Sequence, residues 1–270
     1  MKLHLGLGSW ADPEYRALLT SPPGVKASER LKAYAAWFNH VEVNATFYAL
    51  PKASATAEWV KQTPDGFTFD VKLHRVFSQN PQRASAESGW IEKLLAGVQP
   101  LIEAGRLGAF LIVMPPTFGP VKHTLDELVP LAEKLRPHAL AVELRDRAWV
   151  EGAARADTLA FFRQHELVWV AVDMPDIAAS ALMPAVDEVT HPRIGYLRLH
   201  GRNPKYLEAD SAAERHAHAY TEAELRQIAK RVRALGARAD ELHVIANNHA
   251  HDYAPKAALA LQTLLGGKRA

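Results

Sequence analysis

This sequence predicts an α/β fold in which eight parallel strands close into a (β/α)8 barrel. Three observations support it: eight short β-like runs recur along 270 residues, helix-like stretches alternate with them, and no Gly/Ser linker or composition shift divides the chain. Strand–helix alternation implies parallel strands joined by crossover helices. Eight such units in about 250 residues is the size of a TIM barrel, so residues 1–270 are read as one barrel domain. A doubly wound open sheet is the rival. It requires a Gly-rich dinucleotide turn after the first strand. GLGSWA carries Gly6 and Gly8 but lacks the third glycine, and Pro13 soon follows.

The strand-like runs are KLHLGLG (2–8), HVEVN (40–44), FTFDVK (67–72), LGAFLIVM (107–114), ALAVEL (139–144), VWVAVD (168–173), IGYLRLH (194–200) and LHVIANN (242–248). Helical patterns between them include SERLKAYAAWF, SGWIEKLLAGVQPLIEAG, TLDELVPLAEKLR and TLAFFRQHE. TEAELRQIAKRVRALG opens on a capping box, Thr221 with Glu224, and ends at Gly236. The last helix, APKAALALQTLLGG, has proline in its first turn and glycine after its end.

Composition narrows the chemistry. With no cysteine, disulfides and thiolate chemistry are excluded. MKLHLGLGSW is too short in its apolar part for a signal peptide, and no run reaches the ~18 apolar residues of a membrane span. A cytoplasmic location without membrane association is therefore expected. The formal net charge of +2 is only slightly favourable to an anionic partner.

In a barrel strand one face meets the helices and the other faces the interior, and side chains alternate between them. Setting the apolar positions outward sends Glu42, Asn44, Thr68, Asp70, Lys72, Glu143, Asp173, Arg198, His200 and Asn247 inward, with Arg145 just past its strand. His4, Gly6 and Gly8 go inward on the first strand, the glycines leaving space. Polar groups thus collect at the C-terminal strand ends, where the active sites of this fold lie. Buried charges must neutralise one another or meet a ligand, so the competing reading is a self-satisfied ion-pair network closing the barrel.

Six blocks carry a resemblance that spans nearly the whole chain: FNHVEVNATFYALP (38–51), WVKQTPDGFTFDVK (59–72), MPPTF (114–118), VELRDRAW (142–149), YLRLHGR (196–202) and ANN (246–248). The chain resembles the YecE-like family of uncharacterised TIM barrels, domain-of-unknown-function family number seventy-two. The resemblance implies the barrel and no settled activity. It also marks Glu42, Asn44, Lys72, Glu143, Arg145, Arg198, His200, Arg202 and Asn247 as matching positions. The sequence departs from the family pattern at Gly8-Ser9-Trp10, at Val113 and around Ser78-Gln79, so no histidine role is carried over to the third loop.

The leading expectation is an enzyme doing acid/base chemistry on a small carboxylate- or phosphate-bearing molecule, of hydrolase, lyase or isomerase type. Glu143 and His200 form the acid/base pair, Lys72 adds a point charge, a base or a Schiff-base amine, and Asp173 orients His200. Arg145, Arg198, Arg202, Glu42, Asn44, Asn247, Trp10 and Tyr48 bind the substrate, the arginines through bidentate contacts to its anion. No cofactor is expected. One alternative is a metal-dependent phosphodiester hydrolase resembling endonuclease IV-type barrels, with a divalent ion on Glu42, Glu143, Asp173 and His200. Three cations crowding that mouth and the lack of an HExxH spacing argue against it, and the His216/His218 and His249/His251 pairs are read as solvated loop residues. The other alternative is a non-catalytic binding barrel, for nucleic acid in one version. It would use Arg226, Lys230 and Arg233 on one helix face and the aromatic residues Trp10, Phe47, Tyr48 and Trp149.

Overall fold

A computed structural model describes residues 1–12, 15, 25–87, 89–177, 180–248 and 250–267. Eight strands form a closed parallel barrel in sequential order: β1 (Lys2–Leu7), β2 (His40–Val43), β3 (Thr68–Lys72), β4 (Leu107–Val113), β5 (Leu140–Glu143), β6 (Val168–Asp173), β7 (Ile194–Leu199) and β8 (Glu241–Ala246). Around it run α1 (Arg30–Ala35), α2 (Ala53–Gln62), α3 (Arg75–Gln79), α4 (Pro81–Ala86), α5 (Trp90–Glu103), α6 (Val129–Leu135), α7 (Ala154–Gln164), α8 (Ala212–Arg215), α9 (Glu222–Gly236) and α10 (Tyr253–Leu264). All eight strands fall where the alternation placed them, with ends differing by one or two residues. The capping box at Thr221 and Glu224 forms as expected. Among the described residues, no helix is long and apolar enough to cross a membrane.

One expected crossover helix is absent. Between β6 and β7 the described residues contain no helix, because Pro175, Pro184 and Pro192 interrupt any helical run. The segment instead bonds directly to the outside of β6: Thr190 donates to the Leu167 carbonyl (2.6 Å) and accepts the Trp169 N–H (3.0 Å), and the Trp169 indole donates to the Val186 carbonyl (2.9 Å). Trp169 therefore fills the helix-facing layer, packed against Phe162 of α7.

This reverses the facing assigned to β6. Register partners in a parallel sheet share a face, and Val170 and Val172 pair with Tyr196 and Arg198, whereas Asp173 pairs with Leu199. The valines face the interior and Asp173 faces the helices. On the other site-bearing strands the expected facing holds: Glu42 pairs with Asp70, Lys72 with Leu111, and Tyr196 and Arg198 with His243 and Ile245.

The barrel interior is polar in two layers. In the lower one, His4, His40, Thr68, Asp70 and His243 are all buried. Asp70 accepts from His40 (2.9 Å), His243 (2.8 Å) and the Ala109 N–H (2.8 Å). Burial alone would raise its pKa, but the two imidazoles outweigh this and hold it far below the usual range. The upper layer is the C-terminal mouth. Gly6 does not leave space there. A Cβ at Gly6 would fall inside contact distance of the His40 carbonyl and the Tyr34 hydroxyl, and that hydroxyl bridges β1 and β2 by accepting from Leu7 N–H (2.8 Å) and donating to His40 C=O (2.7 Å). Gly6→Ala is expected to lose roughly 1–3 kcal/mol of stability through overpacking at this seam. Urea unfolding checks it, and a variant as stable as the parent would refute the role of the close approach.

Candidate functional site at the barrel mouth

Arg198 stands at the centre of the mouth with 1% of its surface exposed, between Glu42 and Glu143, both fully buried. Its guanidinium meets Glu42 bidentately, Nε to Oε2 at 2.9 Å and Nη2 to Oε1 at 2.6 Å, and turns Nη1 to Glu143 Oε2. Tyr196 donates to the same Glu42 oxygen (2.9 Å). Glu143 carries two further partners. Arg145 Nε lies against Oε1 as an ion pair without hydrogen-bonding N–H geometry, and His200 Nε2 donates to it at 3.1 Å. Burial would raise the Glu143 pKa, but Arg145, Arg198 and His200 together hold it well below the usual carboxylate range. The same neighbours, Glu143 and Glu42, overcome the cost of burial on Arg198 and raise its pKa.

His200 is a neutral Nε2–H imidazole. Burial, reinforced by Arg198 and Arg145, pushes its pKa well below the usual value despite Glu143. Its Nδ1 faces the Asn247 amide at 3.3 Å, and its carbonyl accepts from His216 Nδ1 (2.9 Å). Asn44 joins the same end of the barrel by donating to the Gly8 carbonyl (3.0 Å). The expected pair of Glu143 and His200 is thus brought together, but both side chains are fully buried and neither lines the cleft above them.

That cleft has a volume of about 590 Å³ and is walled by Phe47, Met114, Pro115, Pro116, Tyr206 and Leu207, among others. Among the described residues its charged lining is Lys72, Arg145 and Arg215, with no carboxylate. The Lys72 ammonium sits 4.8 Å from the centre of the Phe47 ring, where the ring face attracts a cation. Burial, then Arg198 close by, lowers its pKa from 10.5 to about 8 against the opposing pull of Glu42 and Glu143. Among the described residues, Lys72 has no carboxylate within ion-pair distance.

Other expected members lie elsewhere. Asp173, on the helix side, cannot orient His200; it binds Arg202 (Nη2 to Oδ1, 2.8 Å), Arg231 of α9 (2.6 Å) and the Tyr220 hydroxyl (2.8 Å). Arg202 is thereby committed to Asp173. Trp10 packs on Trp59 of α2 with ring centres 5.2 Å apart, and Tyr48 points to solvent, 73% exposed. Trp149 is buried and donates to the Phe118 carbonyl (2.8 Å). His216 and His218 are hydrogen-bonded to His200 C=O and Glu224 rather than solvated, and His249 lies outside the described residues. On α9, Arg226 pairs with Glu222 and Arg233 caps the Leu264 carbonyl. The proposed metal quartet does not assemble, since Asp173 is on the wrong face and both Glu42 oxygens are taken. The metal-capable groups among the described residues lie in the lower layer instead: His4, Glu241 and His243, and His40, Asp70 and His243. Alternation missed Arg215, which enters from a loop helix that carries no strand signal.

Residues 4–270 match the family model described as "Protein of unknown function DUF72". The chain belongs to the DUF72 family. It is 25% identical over 256 residues to the UPF0759 protein YunF of Bacillus subtilis, covering 92% of this chain and 89% of the relative. The UPF0759 protein YecE of Escherichia coli is 33% identical over 131 residues, covering 47% of this chain and 44% of that one. Two solved DUF72 structures superpose closely. The Enterococcus faecalis protein has TM-score 0.86 at 28% identity, covering 98% of this chain and 96% of its own. The Thermotoga maritima protein has TM-score 0.81 at 29% identity, covering 98% and 100%. None of these descriptions names an activity, so the chemistry of this DUF72 barrel is argued from its own cleft.

Proposed function

We propose that this DUF72 protein is an enzyme that acts on a small carboxylate- or phosphate-bearing molecule, with Lys72 as the acid/base group. The observation that carries the reading is the charge segregation at the mouth. The buried acids are consumed by Arg198, Arg145 and His200, whereas among the described residues the charged lining of the cleft above is Lys72, Arg145 and Arg215. Arg215 and the Arg145 edge that reaches the Tyr206 hydroxyl (3.5 Å) suit the anionic group of a ligand. An amine with a pKa near 8 is about one-tenth unprotonated at pH 7, against about 1 in 3,000 for an ordinary lysine, which suits it to take and return a proton. Glu143 and His200 act from beneath, holding Arg145 and Arg198 in place.

Calorimetric titration with inorganic phosphate and malonate at low ionic strength tests the anion site. Binding is expected, weakening about tenfold or more in Arg215→Ala, as for loss of a charge-assisted hydrogen bond, and weakening with salt. Absence of binding of either anion, or equal binding by the variant, would refute the reading.

A further inference from the structure

The lower layer of the barrel holds a second constellation at the opposite end from the cleft. His4 of β1 and His243 of β8 are register partners, and Glu241 opens β8 beside Lys2. These are the first and last strands, so the group straddles the seam that closes the barrel. His4 and His243 are buried, and the Glu241 side chain is 31% exposed at the rim.

Asp70 Oδ2 receives an N–H from His40 Nε2 and from His243 Nδ1. A neutral His40 then presents Nδ1 as an acceptor to the Thr68 hydroxyl (2.8 Å), and Thr68 in turn accepts from His4 Nδ1 (2.8 Å). His243 Nε2 is thereby left as a bare lone pair, and with His40 neutral His4 Nε2 is one too. In that state His4 Nε2 meets Glu241 Oε2 at 2.9 Å acceptor against acceptor, and in either state His243 Nε2 is buried without a hydrogen-bond partner. Leaving a buried polar atom without a partner is costly, so a ligand is called for opposite His243 Nε2.

We infer that His4, His243 and Glu241 form a binding site for a divalent transition-metal ion of the zinc type, stapling β1 to β8. One ligand atom from each of the three residues lies within 4.8 Å of the others; around a tetrahedral zinc ion they would be about 3.3 Å apart, given bonds of about 2.0–2.1 Å. The His4–Glu241 contact therefore opens slightly and His243 closes in. Two imidazoles and one carboxylate are zinc's donor set, and nitrogen donors disfavour Mg²⁺ and Ca²⁺. Each imidazole already has the outer partner that metal-bound histidines use to fix their tautomer: Asp70 behind His243 and Thr68 behind His4. Glu241 gives the ion access and a solvent-facing fourth position. Its local competitor is Arg193, 3.8 Å from Oε1. An additional proton on His40 would satisfy the His4–Glu241 pair without metal, by reversing the chain through Thr68. It would still leave His243 Nε2 without a partner.

The test uses the full-length protein stripped with chelator and titrated with Co²⁺ and Zn²⁺. One Co²⁺ per chain with the visible absorption of a tetrahedral site is expected, displaced by Zn²⁺, together with a Zn²⁺-dependent rise in the melting midpoint. Glu241→Gln, at a half-exposed rim position compatible with folding, should lose at least about tenfold in affinity and the midpoint shift. Failure of the parent protein to take up either ion would overturn the inference, as would uptake that Glu241→Gln leaves unchanged. Neither result depends on anion binding in the cleft.

Discussion

Arg198→Met is expected to be the most damaging single substitution in the molecule. It strips the cation from between two fully buried carboxylates, Glu42 and Glu143. Removing one partner of a buried ion pair typically costs about 3–5 kcal/mol, because the remaining charge is left uncompensated. Here two are left, although Glu143 keeps Arg145 and His200. The loss should reach the upper part of that range, a large fraction of a typical domain's stability. The double variant Glu42→Gln/Arg198→Met should recover part of it, since the worse-orphaned carboxylate is then neutral. Urea unfolding of the two variants against the parent decides. A fully stable Arg198→Met would mean that the network contributes nothing, and an unimproved double variant would mean that the damage is steric rather than electrostatic.

Lys72→Met should do the opposite to stability while weakening anion binding. The ammonium of Lys72 is held in a largely dry, cation-rich site, and its pKa falls from 10.5 to about 8. Between those values the unfolded chain binds the proton and the folded one does not, so the parent protein should gain stability as the pH rises from about 8 to 10.5. At pH 7 both states carry the charge, and the folded state bears the cost of desolvating it. At 1.36 kcal/mol per pKa unit that cost is at most about 3 kcal/mol. Lys72→Met removes it, so the variant should be more stable at pH 7 by about 1–3 kcal/mol and should lose the rise above pH 8. A group that costs stability yet lines the cleft is what a functional role leads one to expect. Chemical denaturation at pH 7 and pH 10, with phosphate calorimetry, checks both halves; a destabilised variant would assign Lys72 a structural role.

Much of the barrel was legible because alternation is a local signal. Leu197 and Leu199 could only belong to the helix layer, which sent Arg198 and His200 inward, and Glu42 and Glu143 followed from their own valine neighbours. The strand VWVAVD defeated the same rule. Both of its faces are apolar, and only the missing crossover helix, which lets Trp169 occupy the outer layer, decides which face is which. Asp173 was misplaced with it. His40 and His243 have the same parity as Glu42 and Asn247, yet the lower layer they build with Asp70 depends on contacts across the barrel that no single strand reveals. Burial was the other gap. Alternation tells that Glu143 and His200 point inward but not how deeply they sit, and it tells nothing of Arg215, Tyr206 and Leu207, which reach the cleft from loops. Trp10 and Tyr48 are likewise near the mouth in sequence and do not line the cleft.

The proposed chemistry requires that the mouth's acids are neutralised from below while Lys72, without a carboxylate partner among the described residues, is a desolvated amine in a cationic cleft. Competitive acetylation of the intact protein as a function of pH, with Lys72 read by peptide mass spectrometry against the surface lysines, tests it most directly. Lys72 is expected to titrate near pH 8 and to be shielded from the reagent by phosphate. Titration with the surface lysines near 10.5, indifferent to phosphate, would contradict it.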